Sequence, residues 1–260
     1  VPSRHWCRRV NEFPVSGHAA AEETENAQGV EEAQVVENAQ AVGNAQGMEE
    51  ARAVEEVAQI LRKGHVKLVH NNTAYAHIGA LAARQAGIPY VWHIRENIAA
   101  QGFEFADERK ARELINGAAG VAAVSGYAAS CYRWLSHFRT HIIYDGVDTR
   151  EYTFAEKELF NNGYVSILLA GVVTPLKRQE DLVEAAALLK DWGVPFQVWF
   201  AGSGDGDYMA YLRRRVEELG LGQEVMFCGR QDSLREYYRK ADMVAVCSGA
   251  EAFGRTTVEA

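Results

Sequence analysis

Met243-Val-Ala-Val-Cys-Ser248 is followed closely by Glu251-Ala-Phe-Gly-Arg-Thr-Thr-Val-Glu259, and these two stretches decide the fold. The first is apolar and predicts a buried strand. The second is small and polar around Gly254, where a helix can begin. Such a helix would direct its unpaired N–H groups and positive dipole end towards the carboxyl end of the strand, where open α/β sheets bind nucleotides. The two carboxylates would then flank an anion site, although this spacing also arises by chance.

Runs typical of strands alternate with runs typical of helices from residue 66 to residue 260. In the first series the predicted strands are 66–71, 90–95, 120–125 and 141–147, with helices over 74–86 and 107–116 and a helix N-cap at Ser125. In the second series they are 165–171, 196–201, 224–228 and 243–247, with helices around 182–189, 212–219 and 234–238. This alternation predicts an α/β fold with parallel sheets that carry helices on both faces.

An acidic repeat precedes the first of these strands. Its units recur every six residues, as Asn26-Ala-Gln, Glu32-Ala-Gln, Asn38-Ala-Gln, Asn44-Ala-Gln and Glu50-Ala-Arg. Six residues advance a helix by about 600°, so the valines of the repeat would spiral around it, and a heptad coiled coil is excluded. We predict that segment 22–50 is poorly ordered or forms an isolated helix that packs little. A short β-helix is the alternative, and a helix with one apolar face is predicted over 49–63.

The composition bounds the class of protein. With 48% hydrophobic residues the chain suits one large or two modest domains, and its net charge of −8 comes mainly from the repeat. No basic surface indicates nucleic-acid binding. No apolar run approaches the ~18 residues that a membrane-spanning helix needs. The four cysteines form no CxxC pair, which favours free thiols in a reducing, cytoplasmic compartment.

The carboxylate stretch resembles the signature of glycosyltransferase family 4, written E-x-F-G-x-x-x-x-E. Glu251, Phe253, Gly254 and Glu259 match its defined positions. The resemblance covers about residues 65–260 and implies the GT-B fold, in which two Rossmann-like lobes each carry a parallel sheet. It further implies that Glu251 faces the donor sugar and that Glu259 holds the ribose hydroxyls. The backbone from Phe253 to Thr256, which includes Arg255, would face the diphosphate.

Three further loops of the second series resemble family segments around the donor. The family loop G-R-L-x-P-x-K-G aligns with 171–178, so that Lys177 would clamp the diphosphate, whereas Val172 replaces the family Arg and Arg178 replaces the Gly. Arg178 could substitute in part for the lost Arg. Gly202 and Gly204 lie in a glycine-rich turn that is either close to the diphosphate or a plain tight turn. Arg230 would border the nucleotide base, or it is an ordinary exposed Arg.

In the first series, the resemblance assigns a role near the transferred sugar to His93, which ends a predicted strand. Arg95 and Glu96 are either acceptor-side groups or a local ion pair. Asp205-Gly-Asp207 has the D-x-D pattern of the other main glycosyltransferase fold, and we predict a solvated loop there. His137 and His141 are four residues apart without a third ligand, so no metal site is predicted.

Together these observations predict a retaining, metal-independent glycosyltransferase of the hexosyltransferase type, active in glycan or glycolipid synthesis. The partners would be a nucleotide sugar, as substrate and not as cofactor, and a glycan or lipid-linked acceptor. A peripheral membrane contact through the N-terminal lobe stays open. The alternatives are a nucleotide-sugar epimerase of the same fold and a non-catalytic nucleotide-sugar-binding or interaction module.

The predicted organisation has four parts. An N-terminal region with the repeat spans 1–64, an acceptor-side lobe 65–147, a linker 148–163, and a nucleotide-sugar-binding lobe 164–260. Against the family, the first strand and the closing helices would lie outside 1–260. We therefore expect a fragment with an incomplete N-terminal lobe and a C-terminal lobe cut after Glu259. Such a fragment should retain nucleotide binding better than transfer. The predicted catalytic residues are His93 and Glu251, and the predicted donor-binding residues are Lys177, Arg178, Gly202, Gly204, Arg230, Phe253, Gly254, Arg255, Thr256 and Glu259.

Overall fold

The structure, a computed structural model of the 260-residue chain, describes residues 6–9, 47–136, 138–153, 156, 158–204 and 206–260. Most of the acidic repeat, His137 and Asp205 lie outside these residues, and so do the predictions made for them. The chain divides into two compact units, Val1–Ile143 and Tyr144–Ala260. The domain boundaries predicted at residues 64, 147 and 163 stay predictions.

The first unit contains a four-stranded parallel sheet. Its strands are β2 (Val69–Asn71), β3 (Tyr90–Ile94), β5 (Gly120–Ala123) and β6 (Thr140–Ile142), and they lie side by side in that order. Trp92 and Ile94 of β3 are fully buried, because the central strands of a parallel sheet are covered on both faces. The sheet confirms the predicted α/β class for this half.

Three helices of this unit follow the strands. They are α2 (Ile78–Ala86), α3 (Glu108–Asn116) and α4 (Gly126–Ser130), and Asp107 and Ser125 cap the last two by accepting a hydrogen bond from a backbone N–H. The N-cap predicted at Ser125 is confirmed. Helix α2 begins later than predicted because the side chain of Asn71 donates to the carbonyls of Thr73 and Ala76, which holds the preceding residues in a loop.

Two short antiparallel strands, β1 (Cys7–Arg9) and β4 (Phe103–Phe105), were not predicted. Strand β1 directly follows Trp6, whose side chain is 1% exposed and whose Nε1 donates to the carbonyl of Ala74 at 2.7 Å. Trp6 also stacks on His77, with ring centroids 4.4 Å apart. Trp6 and Cys7 are therefore part of the core of this unit.

The predicted helix over 49–63 is confirmed as α1, which spans 47–63. Its face with Val54 and Ala58 packs against Ala82 of α2. Glu50, in the last unit of the repeat, accepts a hydrogen bond from Lys110 at 2.9 Å and contacts His77 at 3.2 Å. Of the four described residues of the repeat, Glu50 packs against two basic partners while 47–49 are exposed, and the prediction of little packing stays a prediction for the others.

The second unit contains a second four-stranded parallel sheet. Its strands are β7 (Val165–Ala170), β8 (Phe196–Ala201), β9 (Val225–Gly229) and β10 (Met243–Val244), and their spatial order is β10-β7-β8-β9. The chain thus builds β8 and β9 on one side of β7 and then crosses to place β10 on the other side. The carboxyl ends of β7 and β10 form a topological switch point, the place where such sheets bind ligands.

The helices of this unit are α5 (Gln179–Asp191), α6 (Gly206–Glu218), α7 (Arg235–Lys240) and α8 (Arg255–Glu259), with a 3-10 turn at Pro175–Lys177. Strand β10 is shorter than predicted. Ala245 still donates to the carbonyl of Leu168 at 2.8 Å, and beyond it the chain leaves the sheet. The residues after Ala245 are therefore not part of the sheet and can form a loop at its edge.

Two further properties concern both units. Among the described helices, none is long and apolar enough to cross a membrane. All four cysteines are free thiols, and burial raises the pKa of the Cys7 thiol to about 12 and also raises the pKa values of Cys228 and Cys247.

Candidate functional site

The loops after β7 and β8 approach each other closely. A Cβ at Gly202 would lie 1.8 Å from the carbonyl oxygen of Gly171, and a Cβ at Gly204 would lie 2.5 Å from the Cβ of Val173. Gly171 also donates its N–H to the carbonyl of Ala201 at 2.9 Å. The close packing of the two loops therefore accounts for the absence of a side chain at Gly202 and Gly204. The contact of these glycines with a donor stays a prediction.

The loop from Gly171 to Arg178 is held from two sides. Gln179 is fully buried and donates from its Nε2 to the carbonyl of Val172 at 3.1 Å. Gly249, which follows β10, donates its N–H to the carbonyl of Leu176 at 2.9 Å. These bonds fix the turn that carries Lys177 against the end of β10.

Lys177 and Glu251 are in contact with each other. The Lys177 ammonium donates to Oε1 of Glu251, and the hydroxyl of Ser248 donates to the same oxygen at 2.6 Å. Their side chains are 25% and 31% exposed, so the pair is reached by solvent but shielded on several sides. Because both donors use Oε1, Oε2 of Glu251 has no hydrogen-bond partner among the described residues.

Glu259 lies at the end of α8, and each of its carboxylate oxygens accepts a hydrogen bond. Arg255 donates from Nη2 to Oε1 at 2.7 Å, and the hydroxyl of Tyr238 donates to Oε2 at 3.1 Å. Burial and the charge of Glu259 raise the pKa of Tyr238, which therefore stays protonated at neutral pH. Glu259 also lines an open groove of about 570 Å³ beside Tyr152 and Tyr238.

Helix α8 begins where the sequence predicts. Gly254 has a φ of 80°, in the left-handed region that favours glycine, and Arg255 is the first helical residue. The hydroxyl of Thr256 lies 3.5 Å from the carbonyl oxygen of Ala170, the last residue of β7. The ring of Phe253 lies 6.0 Å from the ring of Tyr144. The predicted diphosphate segment is thus adjacent to the end of β7.

Two of the predicted donor-binding residues, Arg178 and Arg230, are placed differently from Lys177 and Glu251. Arg178 has a φ of 50°, which accounts for the glycine usual at this position, and its guanidinium pairs with Asp181 at 2.8 Å. Arg230, at the end of β9, is exposed. Their roles in donor binding stay predictions.

His93 lies in the first unit, on β3. It is 8% exposed and stacks on His70, with ring centroids 5.5 Å apart. Its neighbour Glu96 accepts hydrogen bonds from the Thr73 hydroxyl and the Ala74 N–H, at 2.8 and 2.9 Å. Glu96 therefore holds the loop after β2, and the role of His93 near a sugar stays a prediction.

The part of the chain that the structure describes contains no group of three or more His, Cys, Asp or Glu residues that could hold a metal ion. The pair of His137 and His141 and the pattern at Asp205 lie outside it, since His137 and Asp205 are not described. At the switch point of the second sheet, the Lys177 ammonium supplies a positive charge.

Sequence reasoning missed three residues of the site. Ser248 stands three positions before Glu251 at a strand end, so its hydrogen bond was within reach of a local prediction. Tyr238 and Tyr144 contact Glu259 and Phe253 from elements distant in sequence. No local signal marks them, because these contacts depend on the tertiary fold.

The chain matches known proteins along its whole described length. Residues 6–151 match the family model described as Glycosyltransferase Family 4, and residues 151–260 match the one described as Glycosyl transferases group 1. Two curated relatives are similar. One is D-inositol 3-phosphate glycosyltransferase of Mycolicibacterium gilvum, 34% identical over 47% of this chain and 29% of that protein. The other is D-inositol 3-phosphate glycosyltransferase 1 of Catenulispora acidiphila, which is 28% identical over 76% of this chain and 54% of that protein.

A solved structure is also similar, that of Anabaena HepE in complex with UDP and glucose. Its TM-score is 0.66 at 24% identity, and the match covers 78% of this chain and 59% of that chain. This likeness supports the fold assignment. The chain spans less than two thirds of the length of each of these three proteins.

Proposed function

Because the chain belongs to glycosyltransferase family 4 and has the GT-B fold, we propose that it transfers a hexosyl group from a nucleoside-diphosphate sugar to an acceptor hydroxyl. The observation that carries this proposal is the contact between Lys177 and Glu251 at the switch point of the second sheet. A cation and a carboxylate at this place suit the two halves of a sugar donor, one anionic and one rich in hydroxyl groups.

Lys177 is the residue that would meet the diphosphate. Its ammonium has three N–H donors, so the bond to Glu251 leaves two for phosphate oxygens. When the bond from the anomeric carbon to the phosphate oxygen breaks, negative charge develops on the leaving group. A fixed ammonium stabilises that charge without reorganising, and no metal ion is needed for this step.

Glu251 is the residue that would meet the sugar. Ser248 and Lys177 both hold Oε1, so Oε2 remains as an acceptor for a donor-sugar hydroxyl. We propose that this contact strengthens as the sugar gains positive charge and that transfer occurs on the face from which the diphosphate leaves. The product would then retain the anomeric configuration of the donor.

Several finer features belong to the same proposal. The acceptor would be a glycan or a lipid-linked hydroxyl, the reaction would take place in the cytoplasm, and the nucleotide sugar would be the substrate without a separate cofactor. D-inositol 3-phosphate, named for two relatives, is a rational first acceptor to test. UDP and UDP-sugars are rational first nucleotides, since HepE was crystallised with UDP.

The test is product analysis by NMR after incubation of the chain with a UDP-hexose, with and without acceptors. We expect acceptor-dependent release of UDP and a glycoside with the anomeric configuration of the donor. An epimerised sugar without transfer would favour an epimerase. No chemical change with any donor, despite nucleotide binding, would favour a non-catalytic module.

The variant Glu251→Gln tests the residue assignment. We expect turnover to fall about a hundredfold, because the charge that meets the sugar in the transition state is lost, while UDP affinity stays within about twofold. Glu236→Gln is the control, since Glu236 pairs with Arg239 on the surface at 3.7 Å. Equal turnover in Glu251→Gln and the control would remove Glu251 from the mechanism.

A further inference from the structure

The carboxylate of Glu259 is oriented by two donors that approach it from different elements. Arg255 comes from the first turn of α8, and Tyr238 comes from α7. An ionised carboxylate has about four lone-pair directions, two on each oxygen. With one donor on each oxygen, one acceptor direction remains on each as well.

Tyr238 is the better anchored of the two donors. Its ring packs beside the cluster of Leu168 and Ala170 from β7, and its edge meets the ring of Tyr152 at 6.1 Å between centroids. Arg255, in contrast, is 62% exposed. A phenol held by packing defines one position, whereas an exposed guanidinium on a long side chain can occupy many. The orientation of Glu259 therefore depends mainly on Tyr238.

Two free acceptor directions on adjacent oxygens match a pair of neighbouring hydroxyl groups. A ribose presents such a pair, and each hydroxyl can donate to one oxygen of the carboxylate. We propose that Tyr238 is a positioning residue that orients Glu259 so that the site selects a ribose with both hydroxyls. This inference rests on the proposed function, because it concerns the nucleotide part of the same donor.

The wider groove is consistent with this role. Tyr152, Tyr238 and Glu259 line one open groove of about 570 Å³, so the free side of the carboxylate is reachable from solvent. The Glu259 side chain is itself only 9% exposed, and water competes weakly for its remaining acceptor directions. A ribose that enters the groove would replace the hydrogen bonds that its two hydroxyls donate to water with two charge-assisted hydrogen bonds to the carboxylate.

The test compares two ligands by calorimetry, UDP and its dideoxyribose analogue, which lacks both ribose hydroxyls. We expect the wild-type chain to bind UDP about tenfold more tightly than the analogue, as hydrogen bonds to a charged group predict. In Tyr238→Phe this preference should fall to about twofold, with the affinity for the analogue nearly unchanged. A structural defect alone would weaken both ligands together.

Tyr237→Phe is the matched control. Tyr237 is the adjacent residue and also loses a hydroxyl, but its partners are Cys228 and Trp199. It should keep the wild-type preference. A full preference for UDP in Tyr238→Phe, or equal wild-type affinity for both ligands, would overturn the role of Tyr238 and leave nucleotide binding intact. Failure of the wild-type chain to bind either ligand would overturn the proposed function and this inference with it.

Discussion

Gly202 lies where the loops after β7 and β8 approach each other most closely in the site. A methyl group in its place would lie 1.8 Å from the backbone oxygen of Gly171, and backbone cannot move aside as a flexible side chain does. We expect Gly202→Ala to lower the free energy of unfolding by about 3 kcal/mol, because the two loops must separate. Urea unfolding followed by circular dichroism measures this change.

Gly222→Ala is the control for that variant, since a Cβ at Gly222 meets no atom within 4 Å and its φ is not in the left-handed region. It should change the free energy of unfolding by less than about 0.5 kcal/mol. Similar unfolding curves for the two variants would contradict the close approach of Gly202 to Gly171.

At the same scale, the sequence predicted residues that belong to a linear motif and missed those that do not. Lys177, Glu251 and Glu259 were predicted to converge on one donor site; the structure brings Lys177 and Glu251 into contact, and the place of Glu259 in a common donor site stays a prediction. The sequence could not show that Glu259 accepts hydrogen bonds from both Tyr238 and Arg255, because the bond from Tyr238 joins α7 to α8. Nor could it show that Gly202 and Gly204 are required by loop packing, since that depends on the register of β7 and β8.

Among the elements, α1 is attached to its unit through a charged cluster. Burial alone would raise the pKa of Glu50, but the hydrogen bond from Lys110 and the charge of His77 together hold it below its ordinary value of 4.5. A carboxyl group whose pKa is lowered on folding stabilises the fold above its unfolded pKa, and this stabilisation is lost as the pH falls through the folded value.

Glu50→Gln should therefore lower Tm more near pH 6 than near pH 3, because the stabilisation by the carboxylate shrinks as the pH falls below 4.5 towards the folded pKa. Thermal unfolding at the two pH values measures the difference. Glu56→Gln is the control on the same helix, since Glu56 pairs with Arg52 and its side chain is 61% exposed. A Glu50→Gln effect that is as large at pH 3 as at pH 6 would contradict the cluster.

Most elements were predictable because their apolar patterns are long enough to be distinctive. Strand β8 was predicted with its observed bounds, Phe196–Ala201, and β7 to within one residue. Strands β1 and β4 have only three residues each, and β1 exposes Arg8 and Arg9. Short segments with exposed charges carry no periodic signal, so their antiparallel pairing was found only in the structure.

For the whole molecule, the sequence predicted parallel sheets but not the order of their strands. The order β10-β7-β8-β9 places the motif that follows β10 next to the loop that follows β7. Alternation of strands and helices is compatible with several orders, and only long-range packing selects one. The switch point, on which the proposed function depends, is thus a property of the fold and not of any one motif.

The central claim is that the switch point of the second sheet binds a nucleoside diphosphate through Lys177. Calorimetric titration of UDP into the wild-type chain, Lys177→Ala and Lys190→Ala tests it most directly. Lys190 lies near the other end of α5, where it pairs with Glu224 at 3.0 Å, so its variant removes the same charge away from the site.

We predict that Lys177→Ala weakens UDP binding at least about tenfold, because a charge-assisted hydrogen bond to phosphate is lost, and that Lys190→Ala stays within about twofold of the wild-type chain. Unchanged affinity in Lys177→Ala, or equal losses in the two variants, would contradict the claim.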